Sequence, residues 1–248
     1  MRLILAGVFA CAAFAQPPQS PPATPAVPPL RQVNDLINDY ANLRRYAADN
    51  AKIAAPAAGE DRVVFMGDSI TDGWGRGQFA ATAPFFTGKP YVNRGISGQT
   101  TAQMLLRFYP DVVAHKPKAV VILAGTNDIA GNLGPVSMES IENNLAAMAD
   151  IARANNIKVV MASVMPVCDY HRPQTAQRPP EKIKTLNEWI RATASRNGYV
   201  YLDYYTPMLD DKDMLKAELT GDGLHPNAAG YAVMAPLAEK AIAQALGK

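Results

Sequence analysis

The chain has 248 residues, 48% of them hydrophobic, with 24 Lys and Arg against 22 Asp and Glu and a formal net charge of +2. That length suits one large domain, or at most two small ones. A charge so close to balance, with no basic run, excludes the electrostatic footprint of a nucleic-acid binder.

The first fifteen residues read as a secretory signal peptide. Met1-Arg2 is positive, the stretch up to Phe14 is apolar, and Ala13-Phe14-Ala15 is a small-x-small cleavage pattern. The apolar run is too short to span a bilayer, so no membrane span is expected after its removal. The protein is then secreted or periplasmic. A lipid anchor at Cys11 is the weaker alternative, because Phe9 spoils the motif before it. Cleavage removes Cys11 and leaves Cys168, so no internal disulfide is expected. Cys168 reads as a structural or loop thiol.

Residues 16–30 form a linker. Seven of the thirteen residues from Pro17 to Pro29 are proline, which keeps a chain extended and coreless. The folded domain is expected over 31–248. It opens with an amphipathic helix over 33–53, with Leu36, Tyr40, Leu43 and Ala47 on its apolar face and Pro56 and Gly59 ending it.

Apolar strands then alternate with helical stretches. The strands are expected over 62–66, 91–93, 119–124, 158–163 and 199–203, and the main helices over 101–108, 138–155, 181–197 and 227–246. This alternation predicts an α/β domain, a parallel sheet of about five strands with helices on both faces. Asn227 is the expected N-cap of the last helix. Residues 165–180, with four prolines plus Tyr170, His171 and Arg172, read as a long loop, either a plain surface loop or a substrate lid.

The chemistry gathers where strands end. Val63-Val64-Phe65-Met66 runs into Gly67-Asp68-Ser69. Ser69 thus stands at a strand's carboxyl end and a helix start, where open α/β sheets place their ligands. The competing reading makes Ser69 a helix cap, since Ser69-Ile70-Thr71-Asp72 resembles a capping pattern. Asn93-Arg94-Gly95-Ile96-Ser97-Gly98 follows the second strand, where Gly95 either lets its N–H be donated to a ligand or simply makes a glycine turn. Gly125-Thr126-Asn127-Asp128 follows the third, where Asn127 either offers a side-chain amide to the crevice or serves as a turn former or helix cap. Asp222 precedes His225 by three residues, a spacing that lets the carboxylate turn back onto the ring and fix its tautomer. His115 and His171 lack such an Asp. Together these residues supply a nucleophile, a base, an orienter and oxyanion donors. Two other readings compete. Asp68, Asp72, Asp128, Asp222 and His225 could gather around a divalent metal in a phosphoesterase. A hydrolase fold without activity could bind glycans, though such a module needs no tautomer-fixed base.

Gly67-Asp68-Ser69-Ile70, Gly95, Gly125-Thr126-Asn127-Asp128 and Asp222-Gly223-Leu224-His225-Pro226 resemble, in order, the four signature blocks of the SGNH/GDSL hydrolases. The blocks span nearly all of the expected domain. Ile70 stands where the namesake motif has Leu. The resemblance implies a flavodoxin-like three-layer α/β/α fold and hydrolysis of carboxylic esters or thioesters without a cofactor or metal. It implies Ser69 as nucleophile, His225 as base and then acid, and Asp222 as orienter. The oxyanion hole would be the N–H groups of Ser69 and Gly95 and the side chain of Asn127. The expected partner is a small-molecule, glycan or lipid ester. Short acyl groups, such as acetyl on carbohydrate, are favoured. Lysophospholipase, thioesterase or acyltransferase chemistry at the same residues is the alternative. Asp68, Trp74, Tyr170 and Arg172 are the expected substrate contacts.

Overall fold

The computed structural model describes residues 37–76 and 83–248. The expected leader and linker lie outside the described residues.

Five strands form one parallel sheet: β1 (Val63–Gly67), β2 (Tyr91–Gly95), β3 (Ala119–Leu123), β4 (Lys158–Ala162) and β5 (Val200–Leu202). Their order is β2-β1-β3-β4-β5, the flavodoxin-like doubly wound arrangement. All five stand where the apolar runs place them, with ends moved by a residue or two. Seven α-helices accompany them among the described residues: α1 (Arg44–Asn50), α2 (Ser69–Asp72), α3 (Thr101–Asp111), α4 (Thr126–Ile129), α5 (Met138–Ala154), α6 (Pro180–Asn197) and α7 (Ala228–Leu246).

The strands are apolar on both faces because both faces are covered. Successive side chains of a strand point to opposite sides. Val64 and Met66 therefore join the core built with Met104 and Phe108 of α3, Leu145 of α5 and Leu186 of α6. Val63 and Phe65 join the opposite core with Trp74 and with Tyr231 and Met234 of α7. The result is three layers, helix on sheet on helix. The Asn227 side chain caps α7 by accepting the Gly230 N–H, as its position predicts.

The N-terminal helix departs from expectation. Over the described part of 33–53 the chain is helical at 37–38, turns, and becomes helical again only in α1. Asp39 causes the break. Its carboxylate accepts the N–H groups of Leu43 and Arg44, and Asn42 takes a left-handed φ of 53°, which Asn tolerates better than most residues. The apolar face also changes. Tyr40, Leu43 and Ala47 are exposed, while Ala41 and Tyr46 are buried.

Parallel strands end on one edge. There Gly67 is level with both Gly95 and Leu123, so the turns after β1, β2 and β3 open side by side. Arg107 of α3, fully buried, ties the ends of β1 and β2 together from beneath. Its guanidinium donates to the carbonyls of Gly67 and Arg94, to Gln99 and to the Asp111 carboxylate.

Candidate active site

Ser69 lies at the exit of β1 in the first turn of α2. The cap of that turn is Asp68, whose carboxylate accepts the Ile70 N–H at 3.0 Å. The capping role weighed for Ser69 therefore falls to its neighbour. The Ser69 hydroxyl instead meets His225 Nε2 at 2.9 Å.

His225 comes from the short loop before α7. Its Nδ1 lies 2.6 Å from Asp222 Oδ2, and its backbone N–H donates to Asp222 Oδ1 at 2.8 Å. The Leu224 N–H adds a third contact to that carboxylate. The loop is pinched shut where Thr220 bridges Pro226, and Thr220 Oγ1 donates to the His225 carbonyl. Gly223 is required here. Its φ is +86°, and a Cβ would lie 2.3 Å from the Cys168 carbonyl.

The electrostatics suit a proton acceptor. Burial lowers the His225 pKa below the ordinary imidazole value, and the nearby Arg178 charge lowers it further; Asp222 opposes both incompletely. The imidazole is therefore neutral at pH 7. Burial pushes the Asp222 carboxyl up, but the hydrogen bonds from His225 and Leu224 outweigh it and hold the group below its ordinary value. Asp68 is different. Burial raises it to about 7 despite the Ile70 hydrogen bond.

Three groups at the strand ends are candidate donors to an oxyanion. Ser69 N–H belongs to the first helical turn, where no intrahelical acceptor exists. Asn127, buried at the exit of β3, commits one Nδ2 proton to the Gln99 carbonyl at 3.0 Å, which leaves the second for a ligand. The expected donor at Gly95 is overturned. Its N–H is already given to Asn93 Oδ1 at 2.9 Å. Its missing side chain serves packing, since a Cβ would lie 2.1 Å from the Asp72 backbone nitrogen. Gly98, three residues on, is exposed, has φ +81° and open space around it. Asn132 holds its carbonyl, which leaves its N–H as the one this turn can offer.

A GDSL-like lipase/acylhydrolase family model matches residues 65–233. The chain belongs to that family. Carboxylic ester hydrolysis is the reaction class that goes with it. A GDSL-like lipase structure from Bacteroides thetaiotaomicron is 43% identical with a TM-score of 0.76, over 83% of this chain and 99% of that one. An acetylxylan esterase of Geobacillus stearothermophilus is 24% identical over 71% of this chain and 90% of its own. The uncharacterized lipoprotein YqeF of Bacillus subtilis is 36% identical over 32% of this chain, a match spanning 33% of the relative's length.

Of the other residues singled out in this GDSL-family chain, Trp74 is core. It is 3% exposed and packs on Phe65, Phe85, Phe86 and Tyr231. It cannot meet substrate at the mouth. Tyr170 is exposed, but its hydroxyl donates to Asp210. Arg172 is exposed, and its carbonyl rests near Gly223. His115 meets Asn50, and His171 meets the Ala217 carbonyl. The acidic residues do not converge. Asp72 is held by Ser97 and Arg76, and Asp128 by Thr101. Among the described residues no group of three or more His, Cys, Asp and Glu is placed to share a metal.

Residues 165–180 are bound into the site. The Cys168 N–H donates to the Gly223 carbonyl, and Gln174 Nε2 to the Asp222 carbonyl. Arg178, 6% exposed, sits within this wall. Sequence reasoning passed over it, because nothing in its neighbours links it to Thr126, its hydrogen-bond partner 52 positions away.

Proposed function

We propose that this protein is an exported serine esterase that removes short acyl groups, acetyl foremost, from carbohydrate. The observation that carries the reading is the pair of contacts at His225, 2.9 Å to Ser69 Oγ and 2.6 Å to Asp222 Oδ2. In this mechanism Ser69 Oγ attacks the ester carbonyl while His225 Nε2 takes its proton. Asp222 holds the imidazole and stabilises the imidazolium. The N–H groups of Ser69, Gly98 and Asn127 receive the oxyanion. The imidazolium protonates the departing alcohol, leaving an acyl-Ser69 ester. Water, deprotonated by His225, attacks that ester. The acid departs and the proton returns to Ser69.

The acetyl preference is supported by the likeness to the Geobacillus acetylxylan esterase. Export is supported by the charged start, apolar run and cleavage pattern of residues 1–15. The test is a chain-length series of p-nitrophenyl esters together with acetate release from acetylated xylo-oligosaccharides. Fastest cleavage of the acetate ester, with acetate released from the sugar, is the expected result. Preference for long acyl chains with no acetate released would point to a lipid ester instead.

A further inference from the structure

A line of side-chain contacts crosses the site behind the reacting groups. It begins at the Asp222 carbonyl, which accepts from Gln174 Nε2 at 3.1 Å. Gln174 Oε1 accepts from Arg178 Nη1 at 3.0 Å. Arg178 Nε donates to Thr126 Oγ1 at 3.2 Å, and Thr126 is the residue before Asn127. Gln174 is itself fixed, because its backbone N–H and that of Thr175 donate to the Asp169 carboxylate. One connected line thus runs from the turn that aims the oxyanion donor to the loop that carries the base.

Its central member is unusual. A buried guanidinium is costly to desolvate and is ordinarily retained only with a carboxylate against it. Arg178 donates to Thr126, Gln174 and Gln177 instead, and burial lowers its pKa while the more distant Asp68 and Asp222 charges raise it. Packing alone would be served as well by Met or Leu.

We propose that Arg178 is a positioning residue for ester hydrolysis, locking the Asn127 turn to the Asp222–His225 loop through Gln174. The proposal rests on the serine-esterase reading above. It also explains why residues 165–180 are tied into the site, since they form the wall that carries this brace. A planar guanidinium with donors fixed in a fork can meet two acceptors in different directions at once, which a lysine ammonium on its flexible stem does less rigidly. Its charge has a second effect. Among the charged groups acting on the imidazole are Asp222, from its own loop, and Arg178, from this wall. Asp68, at the β1 exit, acts on Arg178. Arg178 therefore favours the neutral base.

The test compares Arg178→Met, Arg178→Lys and Gln174→Ala in p-nitrophenyl acetate hydrolysis from pH 4.5 to 9, with melting curves for each. Arg178→Met should lose roughly tenfold to a hundredfold in kcat, the scale of a misplaced catalytic group, with KM little changed. Its acidic limb of kcat/KM should move up in pH. Arg178→Lys should keep the limb and still lose kcat. Gln174→Ala should lose kcat with the limb unmoved. Wild-type kcat and limb in Arg178→Met would overturn the proposal. Should Arg178→Met not fold, wild-type kcat in folded Gln174→Ala would overturn it. If the wild type cleaves no ester, the esterase reading has failed. The brace is then read without turnover, from the NMR shifts of the Asn127 side-chain amide and the His225 ring in wild type and Gln174→Ala. Shifts that move at both sites support the brace, and shifts unchanged at both overturn it.

Discussion

Gly95, the last residue of β2, and Gly98, in the turn that follows, separate packing from chemistry. Gly95 faces the backbone of α2, so Gly95→Ala should destabilise the fold by forcing that turn away. A strained insertion of this kind costs about 1–3 kcal/mol or more, which corresponds to a fall in Tm of roughly 2–12 °C for a chain of this size. Gly98→Ala meets open space but a left-handed φ, so its cost should fall on kcat through the oxyanion turn, with a smaller change in Tm. Thermal melts and steady-state kinetics on both variants check this; the reverse pattern would return the donor role to Gly95. Asn127→Ala should lower kcat about 10²–10³-fold, as loss of one oxyanion donor does. Because His225 sits below its ordinary pKa, the acidic limb of kcat/KM should lie below pH 6.5, with activity lost as the pH falls through it. At this scale the sequence pointed to Ser69, Asp222 and His225, which lie within hydrogen-bond reach of one another, and to Asn127, buried at the exit of β3. The Asp222–His225 pairing was legible because it lies in local spacing, while the roles of all four are what the kinetics test. The sequence was not legible for Gly95 against Gly98. That choice turns on the Asn93 side chain reaching forward to the Gly95 N–H, which no spacing announces.

At the scale of elements, the strands were legible because burial on both faces makes each a continuous apolar run, and β1 to β5 stand where those runs are. The N-terminal helix was misread because its periodic Tyr40, Leu43 and Ala47 outweighed a polar break at Asp39 and Asn42. Tyr46 is the side chain that docks α1. Its hydroxyl donates to the Gly95 carbonyl, and the guanidinium groups of Arg45 and Arg94 lie over its ring. The brace beneath the sheet edge was also invisible in sequence, since Arg107 looks like any charged residue of a helix. Arg107→Met would leave the Asp111 carboxylate buried without its ion-pair partner and free two strand-end carbonyls. Removing one partner of a buried pair costs about 3–5 kcal/mol. The expected result is a Tm lower by roughly 6–20 °C, read by circular dichroism; a change of a degree or two would refute the bracing role.

Over the whole molecule, topology follows from the strand–helix alternation, and the edge where strands β1, β2 and β3 end is where the sequence motifs meet. The same architecture buries Asp68, and that leaves a signature in stability. Its folded pKa, about 7, lies above the ordinary 3.8. The folded state keeps a proton that the unfolded chain has lost between those values. Its contribution to stability is therefore full below about pH 4 and lost as the pH rises through 7. Asn at this position still accepts the Ile70 N–H without ionising. Asp68→Asn should thus melt above wild type at pH 8, with the gap closing toward pH 4; a gap independent of pH would contradict the assignment. The account as a whole depends on Ser69 attacking an ester with His225 as its base. The most direct test is p-nitrophenyl acetate hydrolysis by wild type, Ser69→Ala and His225→Ala side by side in EDTA. The account predicts full wild-type activity in the chelator and loss of nearly all turnover in both variants. Activity that survives in Ser69→Ala, or that EDTA abolishes in the wild type, would contradict it.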